Sequence, residues 1–488
     1  MVFTDVSVCL VMVLASFFYV KTKDCLNLKM FLKKGGQKMN QHEPIYDAKI
    51  LGTGKTMVLG LQHLFAMFGA TVLVPIITGL SVSTTLLFAG LATFFMHFVT
   101  KWKVPVFLGS SFAFLAGYAA VKEAGVAAGL TERVSLNYAC IGVACAGLLY
   151  LVLSAICKSF GSKNVMKFFP PVVTGPIIMA IGINLAPSAI NNCNTNWWIA
   201  LVAIVVVIVC NIWGKGMIKI IPILLGVIAS YVVAAISGDV DFTLVSEADW
   251  FGLPVIWGNT GLSVFTNGNT DAGMILTSII TIMPIAFATM MEHIGDISAI
   301  SGTVGKNFIE EPGLHRTLIG DGIGTAIAAL FGAPANTTYG ENTGVLALTK
   351  VYDPMVVRLA AGYAILLSFC PKFAAIIEVM PAATIGGVSL ILYGMISAIG
   401  VRNVVENKTN FQESRNVIIA ALILSLAIGI SYSTAGGIII PIGQVTINLS
   451  GLAVASIIGI LLNAILPGRD DKFADNPDET LASSLGKY

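Results

Sequence analysis

Two short stretches decide the fold of this chain: Pro105-Val-Phe-Leu-Gly-Ser-Ser-Phe-Ala-Phe114 and Ala333-Pro-Ala-Asn-Thr-Thr-Tyr-Gly-Glu-Asn342. Each lies in apolar sequence, begins extended and polar, and then turns helical, so that neither would cross a membrane comfortably as one continuous helix. Broken segments at matching positions of two halves are typical of transporters built from inverted repeats, which bind substrate at the breaks. We therefore expect backbone N–H groups here that are free to bind a polar ligand.

The composition around these stretches is that of a membrane protein. Hydrophobic residues make up 56% of the 488 residues and charged residues 11%, whereas soluble domains carry about 25% charged residues. Mean hydropathy is +0.86. The net charge of +2, without a basic stripe, argues against a nucleic-acid partner. The eight cysteines form no CxxC pair, so we expect neither a disulfide framework nor a metal site.

Fourteen apolar stretches, separated by Gly, Pro, Asn and charged residues, are candidate membrane spans. Fourteen divides into seven plus seven, and an odd number of spans per half inverts the second half relative to the first. The predicted fold is thus an all-α polytopic membrane protein of 14 transmembrane segments in two inverted seven-span repeats, with short extended stretches in spans three and ten. The predicted spans begin near Thr56, Val82, Val106, Tyr138, Val172, Trp197, Ile218, Ile275, Arg316, Thr338, Val356, Ala382, Val417 and Leu452.

Loop charges support this count and set the orientation. Cytoplasmic loops of membrane proteins carry an excess of Lys and Arg. With the amino terminus inside, 14 such residues fall in cytoplasmic loops and three in outside loops. We therefore expect an inner-membrane protein with both termini in the cytoplasm. The 14 are Lys101, Lys103, Lys158, Lys163, Lys167, Lys215, Lys219, Lys306, Arg316, Lys350, Arg358, Arg402, Lys408 and Arg415; the three are Lys122, Arg133 and Lys372.

The predicted domain organisation follows from these spans. The two seven-span repeats cover residues 51–236 and 274–467, and an outside loop covers 237–273. A cytoplasmic segment, 1–50, precedes them, and a cytoplasmic tail, 468–488, follows.

The amino terminus carries a separate hypothesis. Codons for the Lys-Gly-Gly run before Met39 can encode a ribosome-binding site, so translation could begin at Met39, which would make residues 1–38 an annotation artefact. An additional amino-terminal helix is the alternative.

Carboxylates within apolar spans are the candidate functional residues, because each costs roughly 2.5–3.5 kcal/mol to insert. Glu292 and Asp296 lie four residues apart and so share one face of span eight. Asp321 lies in span nine and Glu341 in span ten. Buried carboxylates that lie close together favour proton uptake. When ionised, they accept hydrogen bonds from N–H groups. A nucleobase fits this chemistry, although a sugar or an amino acid is not excluded by it.

The polar residues of the spans also allow other interpretations. Each acid alone could be a helix-end residue in the headgroup region. His293 lies on a different helix face from Glu292, which favours a structural role, and His63 could either pack or hold the site. An anion transporter of the same fold should place positive groups at its site. No nucleophile–base set and no metal-ligand spacing occurs, so we do not expect an enzyme.

Three motifs resemble those of the nucleobase–ascorbate transporter family, also called nucleobase–cation symporters. They are Gln62-His63-Leu-Phe-Ala-Met-Phe-Gly-Ala-Thr71, Gly109-Ser-Ser-Phe-Ala-Phe114 and Glu341-Asn342-x-Gly344-x-x-x-x-Thr349-Lys350. The resemblance extends from about Leu51 to Pro467. It implies a core domain (spans 1–4 and 8–11), a gate domain (spans 5–7 and 12–14), substrate between them, and a homodimer packed through the gate domains.

The resemblance also implies a substrate. Glu341, at the first signature position, looks like the bacterial uracil permeases, whereas xanthine and urate carriers usually have Gln. Proton-coupled uptake of uracil is therefore implied, with the proton as coupling ion and no cofactor. Asp296 stands where some uracil permeases have His, and both it and Asp321 are similar to purine-type members, so a xanthine/urate-type purine:proton symporter is the alternative.

Individual roles are implied in the same way. The implied substrate-binding residues are Glu292, Glu341, Phe112, Gly340, Tyr339, Ala70 and Tyr393. The implied proton-coupling residues are Glu292, Asp296 and Asp321, and the implied supporting residues are Gln62, His63, Ser111 and Asn342.

Overall fold

The computed structural model describes residues 44–266, 270–434, 436–442 and 445–468. The hypothesis of a start at Met39 and the prediction for the tail beyond Gly468 therefore fall on residues outside this description.

The first half of the chain is helical except for one three-residue strand. A 3₁₀ turn, Phe112–Phe114, links this strand to the helix after it. The elements are α1 Thr53–Thr78, α2 Val82–Val99, β1 Leu108–Ser110, α3 Leu115–Ala127, α4 Glu132–Phe160, α5 Ser162–Met166, α6 Pro171–Cys193, α7 Trp197–Ile212, α8 Met217–Ile220 and α9 Pro222–Ser237.

The second half repeats this plan after two short helices, α10 Thr243–Glu247 and α11 Ser263–Thr266. A 3₁₀ turn, Met283–Ile285, joins its first two helices. The elements are α12 Ala272–Ile282, α13 Ala286–Val304, α14 Leu314–Leu330, β2 Asn336–Thr338, α15 Gly340–Thr349, α16 Pro354–Ser368, α17 Pro371–Glu378, α18 Ala382–Glu406, α19 Ser414–Ser431, β3 Ile438–Ile442, β4 Val445–Leu449 and α20 Gly451–Ile465. Each predicted span start lies within six residues of the beginning of one of these elements.

Helix length separates the predicted spans into two kinds. Within the described ranges, seven helical segments are long and apolar enough to cross a membrane, and the pair α16–α17, bent by 89°, would be an eighth. Three further apolar helices, α7, α9 and α20, are shorter, at 15 or 16 residues each. Predicted spans three and ten are strand-plus-helix segments, as expected, with helices of only 13 and 10 residues.

The two strands of these broken segments pair with each other. β1 and β2 run antiparallel, with Leu108 opposite Thr338 and Ser110 opposite Asn336. The pairing continues beyond the strands, because Ser111 N–H donates to Ala335 O (2.8 Å) and Tyr339 N–H donates to Phe107 O (3.1 Å). The short ladder thereby satisfies backbone groups that a broken span would otherwise leave unpaired at membrane depth.

The contacts between helices are the same when each helix is replaced by its counterpart in the other half of the chain. α4 of the first half packs on α14 of the second half. Their counterparts, α16 of the second half and α2 of the first half, also pack on each other. α7 packs on α9 in the first half, and α19 on α20 in the second. α6 packs on its own counterpart, α18, as β1 does on β2. Two halves of opposite orientation would produce this arrangement.

Ion pairs hold the loop before α14. Lys103 pairs with Glu311, and Lys163 Nζ lies 3.1 Å from Glu310 Oε1. The Lys103 ammonium, through a hydrogen bond and its charge, holds the pKa of the Glu311 carboxyl below its usual range. The four side chains are largely exposed, so these contacts position the loop and add little stability.

Gly109 is the tightest point of the β1–β2 crossing and gives a first prediction. A Cβ there would lie 2.4 Å from two ring atoms of Tyr339 and 2.8 Å from Thr71 Oγ1. Gly109→Ala must therefore displace the Tyr339 ring, and we expect a loss of about 1–3 kcal/mol of stability. A lowered Tm of the purified protein would measure it. Gly429→Ala is the control, because nothing lies within 4 Å of a Cβ there; equal Tm values for the two variants would contradict the prediction.

Candidate substrate-binding site

A small cavity lies where β2 and the start of α15 face α6 and α18. Its volume is about 30 Å³. The described residues that line it include no Lys or Arg, so nothing positive in the wall balances its carboxylates. The lining residues are Phe112, Ile178, Glu292, Asp296, Thr337, Thr338, Tyr339, Gly340, Glu341, Ile396 and Ile399.

Three of the four predicted acids meet in this wall. Glu292 and Asp296 come from one face of α13, and Glu341 comes from the first turn of α15. Asp296 Oδ2 accepts a hydrogen bond from Thr338 Oγ1 at 2.7 Å. Glu292 Oε2 is buried and has no hydrogen-bond partner among the residues that the structure describes. A buried acceptor left open in this way can receive an N–H group of a ligand.

The broken segments bring backbone groups to the same cavity. Phe112 begins the 3₁₀ turn after β1, and Gly340 begins α15 directly after β2. N–H groups in the first turn of a helix have no partner within the helix. The start of α15 therefore presents donors beside the carboxylates, and these donors can bind the carbonyl oxygens of a ligand.

Aromatic residues close the cavity on one side. Phe112 packs edge-to-face on Tyr393 of α18, with ring centroids 5.3 Å apart at 77°. The Tyr339 hydroxyl donates to Ser110 O at 2.9 Å, which fixes its ring against β1. Ala70 and Tyr393 are buried, but they are not among the described residues that line the cavity.

The predicted supporting residues lie behind the wall. The Asn342 amide donates to the backbone oxygen of His63 at 3.0 Å and lies 3.1 Å from His63 Nδ1, which ties α15 to α1. The Gln62 amide contacts the sulfur of Met217. Ser111 is buried at the end of the β1–β2 ladder. These contacts fix the elements that carry the site, and none of the four predicted supporting residues is among the described residues that line the cavity.

Asp321 lies outside the cavity and contacts His293. The side chains are fully buried, and His293 Nδ1 is 2.9 Å from Asp321 Oδ2. On the other side of the ring, His293 Nε2 is 3.0 Å from Thr317 Oγ1, whose hydroxyl donates to Leu314 O. The Thr317 hydroxyl can accept from Nε2–H or donate to Nε2, so the position of the ring proton depends on the tautomer.

The sequence did not predict this contact, because the structural role expected for His293 specified no partner. The α13–α14 crossing brings it to Asp321 across 28 positions of the sequence. Thr338 and the isoleucines of the cavity wall were also missed. The position of Thr338 directly before Tyr339, in a predicted broken span, could have indicated that it belongs to the site. An isoleucine in a membrane helix gives no such indication.

A helical membrane bundle with a polar cavity at two broken segments is the architecture of a membrane carrier. The model of the Permease family matches residues 54–436. The chain belongs to this family of permeases and is therefore a transporter, as predicted, and not an enzyme.

Curated relatives span nearly the whole chain. The uracil permease of Bacillus caldolyticus is 38% identical over 90% of this chain and 100% of its own length. The uracil permease of Bacillus subtilis (strain 168) is 37% identical over 86% of this chain and 94% of its own. The uracil permease of Escherichia coli (strain K12) is 36% identical over 84% and 91%.

Solved structures share the fold at low identity. The transmembrane domain of the cyanobacterial bicarbonate transporter BicA superposes with a TM-score of 0.56 at 15% identity, covering 86% of this chain and 99% of that one. SLC26A9 superposes with a TM-score of 0.58 at 10% identity, covering 86% and 66%. These likenesses concern the fold alone.

Proposed function

We propose that this chain carries uracil into the cell across the inner membrane together with protons. The observation that carries the proposal is the open carboxylate oxygen of Glu292, which lies in one cavity with Glu341 and the first turn of α15. Uracil presents two N–H donors and two carbonyl acceptors on one side of its ring. The carboxylates match the donors, and the backbone N–H groups match the acceptors. The names of the three relatives above support the choice of uracil.

The architecture in this proposal has 14 spans in two inverted repeats, 51–236 and 274–467. Spans 1–4 and 8–11 form the core and spans 5–7 and 12–14 the gate, with both termini in the cytoplasm. The antiparallel pairing of β1 with β2 and the matching helix contacts of the two halves support it. The loop charges support the orientation. In the same proposal, two copies pack through their gate domains, as in the family that the motifs resemble.

The charge of the site argues against an anion as substrate, although a bicarbonate transporter shares the fold. Glu292, Asp296 and Glu341 line one cavity, and no Lys or Arg lies among its described lining residues. An anion would meet uncompensated negative charge in a desolvated space, which is unfavourable. A neutral ligand with N–H donors meets acceptors instead.

The same charges support coupling to protons. Glu292 lies close enough to Asp296, Asp321 and Glu341 for their charges to repel when ionised. A proton on Asp296 or Glu292 relieves this repulsion and leaves an acceptor for the base. We propose that the protonated, loaded core moves against the gate and opens inward, and that loss of proton and substrate to the cytoplasm resets it. The difference in affinity between the two states supplies the coupling, and the proton gradient drives the cycle.

Uptake of radiolabelled uracil is the direct test. In cells without their own nucleobase carriers, expression of the chain should give saturable uptake, and a protonophore should abolish accumulation above the outside concentration. Cells with the empty vector are the control. Absence of uptake would refute the substrate, whereas uptake that accumulates uracil equally well with the protonophore would refute the coupling.

A further inference from the structure

Three isoleucines form the gate side of the cavity. Ile178 comes from α6, and Ile396 and Ile399 come from α18. Ile178 and Ile396 are buried, and Ile399 is 36% exposed. The lining residues from α13 and α15 include Glu292, Asp296 and Glu341. The lining from α6 and α18 is therefore aliphatic, whereas that from α13 and α15 carries the acids. We call the three residues the isoleucine wall.

Glycines of the core hold the isoleucine wall close. A Cβ on Gly295 would lie 3.5 Å from Ile178 Cδ1, and a Cβ on Gly340 would lie 3.5 Å from Ile399 Cδ1. These glycines directly precede Asp296 and Glu341. Because each offers only a hydrogen at this point, the aliphatic side chains reach the immediate neighbourhood of the carboxylates. At Gly340, for example, the same Cβ would also lie 3.9 Å from Asp296 Oδ1, so the isoleucine wall and the acids are close neighbours.

The two sides of the cavity match the two sides of a pyrimidine. In uracil, N1–H, C2=O, N3–H and C4=O occupy one side of the ring, and the C5–C6 edge carries only C–H groups. If the carboxylates bind the N–H groups, the C5–C6 edge must turn toward the isoleucine wall. This pose also avoids burying any N–H or carbonyl group against aliphatic side chains, where it would lose its hydrogen bonds to water without replacement.

The same comparison shows where a purine would differ. Xanthine has the ring of uracil with an imidazole fused to the C5–C6 edge. Both bases offer the carboxylates a similar pattern of donors and acceptors, so the polar side discriminates weakly between them. The additional ring of xanthine would project into the isoleucine wall. Discrimination by a clash with the wrong ligand, and not by a contact with the right one, is a common route to specificity.

We propose that Ile178, Ile396 and Ile399 determine substrate size at this site. They admit a single ring with small substituents at C5 and C6, and they exclude bases with a second ring fused at that edge. This inference rests on the proposed function, since it takes the orientation of the base from the carboxylates. It also assigns the choice between uracil and xanthine to gate residues that carry no charge.

Competition of uracil uptake tests the inference. The competitors are 5-fluorouracil, thymine and xanthine, which grow in size at the C5–C6 edge. In the unmodified protein, inhibition should weaken in this order. The inhibition constants of the larger competitors should fall in the variants Ile396→Ala, Ile399→Ala and Ile178→Ala. For xanthine the fall should be roughly tenfold or more, because one methylene in an apolar pocket changes the discrimination between substrates by about 10- to 200-fold. Ile396→Val, which removes a single methylene, should give a smaller fall and guards against misfolding of the alanine variants.

Ile391→Ala is the matched control, because Ile391 lies on α18 but not among the described lining residues. It should leave the order of inhibition unchanged. The inference is overturned if xanthine inhibits the unmodified protein as strongly as unlabelled uracil does. It is also overturned if the variants transport uracil and remain as insensitive to xanthine as the control. Absence of uracil uptake by the unmodified protein is a different result, since it refutes the proposed function and this inference with it.

Discussion

Glu341→Gln is expected to lower uracil uptake by roughly ten- to 100-fold. Glu341 lies in the cavity wall and can accept a ligand N–H in its ionised form. The amide of Gln presents both a donor and an acceptor, and it carries no charge. A hydrogen bond to a charged group contributes roughly 1.5–3 kcal/mol, which corresponds to this loss of affinity. Initial rates of radiolabelled uracil uptake over a range of concentrations measure the effect, which should appear as an increase in KM.

Glu406→Gln provides the matched control for this change. Glu406 is exposed at the end of α18 and pairs with Arg402 at 2.6 Å. Exposed pairs of this kind contribute little, so the variant should transport normally. Equal amounts of both variants in the membrane must be verified by immunoblot. If Glu341→Gln takes up uracil at an unchanged rate, Glu341 does not belong to the site. If Glu406→Gln loses as much uptake as Glu341→Gln, the loss is due to expression.

Asp296→Asn is expected to abolish accumulation while leaving exchange of uracil in place. The Asn side-chain oxygen can still accept the hydrogen bond from Thr338, so the wall should keep its shape. The amide cannot gain or lose the coupled proton. At an imposed potential of about 100 mV, one coupled proton is worth about 2.3 kcal/mol, or an accumulation of about 50-fold. In proteoliposomes containing the variant, the ratio of inside to outside uracil should fall to about one.

Exchange of labelled for unlabelled uracil, measured without any gradient, separates this result from simple loss of function. A variant that only misfolds would lose exchange as well. Asp241→Asn, an exposed change in the loop after α9, is the control and should accumulate uracil normally. If Asp296→Asn still accumulates uracil about 50-fold, the coupled proton is not carried by Asp296.

Much of the fold could be read from the sequence. Charged residues are expensive inside a bilayer, so apolar runs and their interruptions mark the elements. The 3.6-residue period places Glu292 and Asp296 on one face of α13 without any structure. The polar starts at Gly109 and Asn336 predicted the two short strands, where Gly109 pairs with Thr337 and Ser110 with Asn336.

The site was only partly predictable, and His293 shows why. Its spacing from Glu292 puts it on another face of α13, which indicated a structural role. The structure brings Asp321 to that face, because α14 crosses α13 there, and the two side chains meet at 2.9 Å. A helix period states which residues share a face, but it does not state which helix covers that face.

The sequence by itself therefore determined the class of protein, the two broken segments and the acids of the site, since each of these breaks the apolar pattern that a membrane imposes. Only the tertiary structure decided which acids face one cavity, which contacts a histidine, and which isoleucines form the opposite wall. The physical reason is that aliphatic residues facing lipid, a core or a ligand have the same composition and period. Their roles are fixed when Ile178 and Ile399, 221 positions apart, meet the same cavity through the packing of α6 on α18.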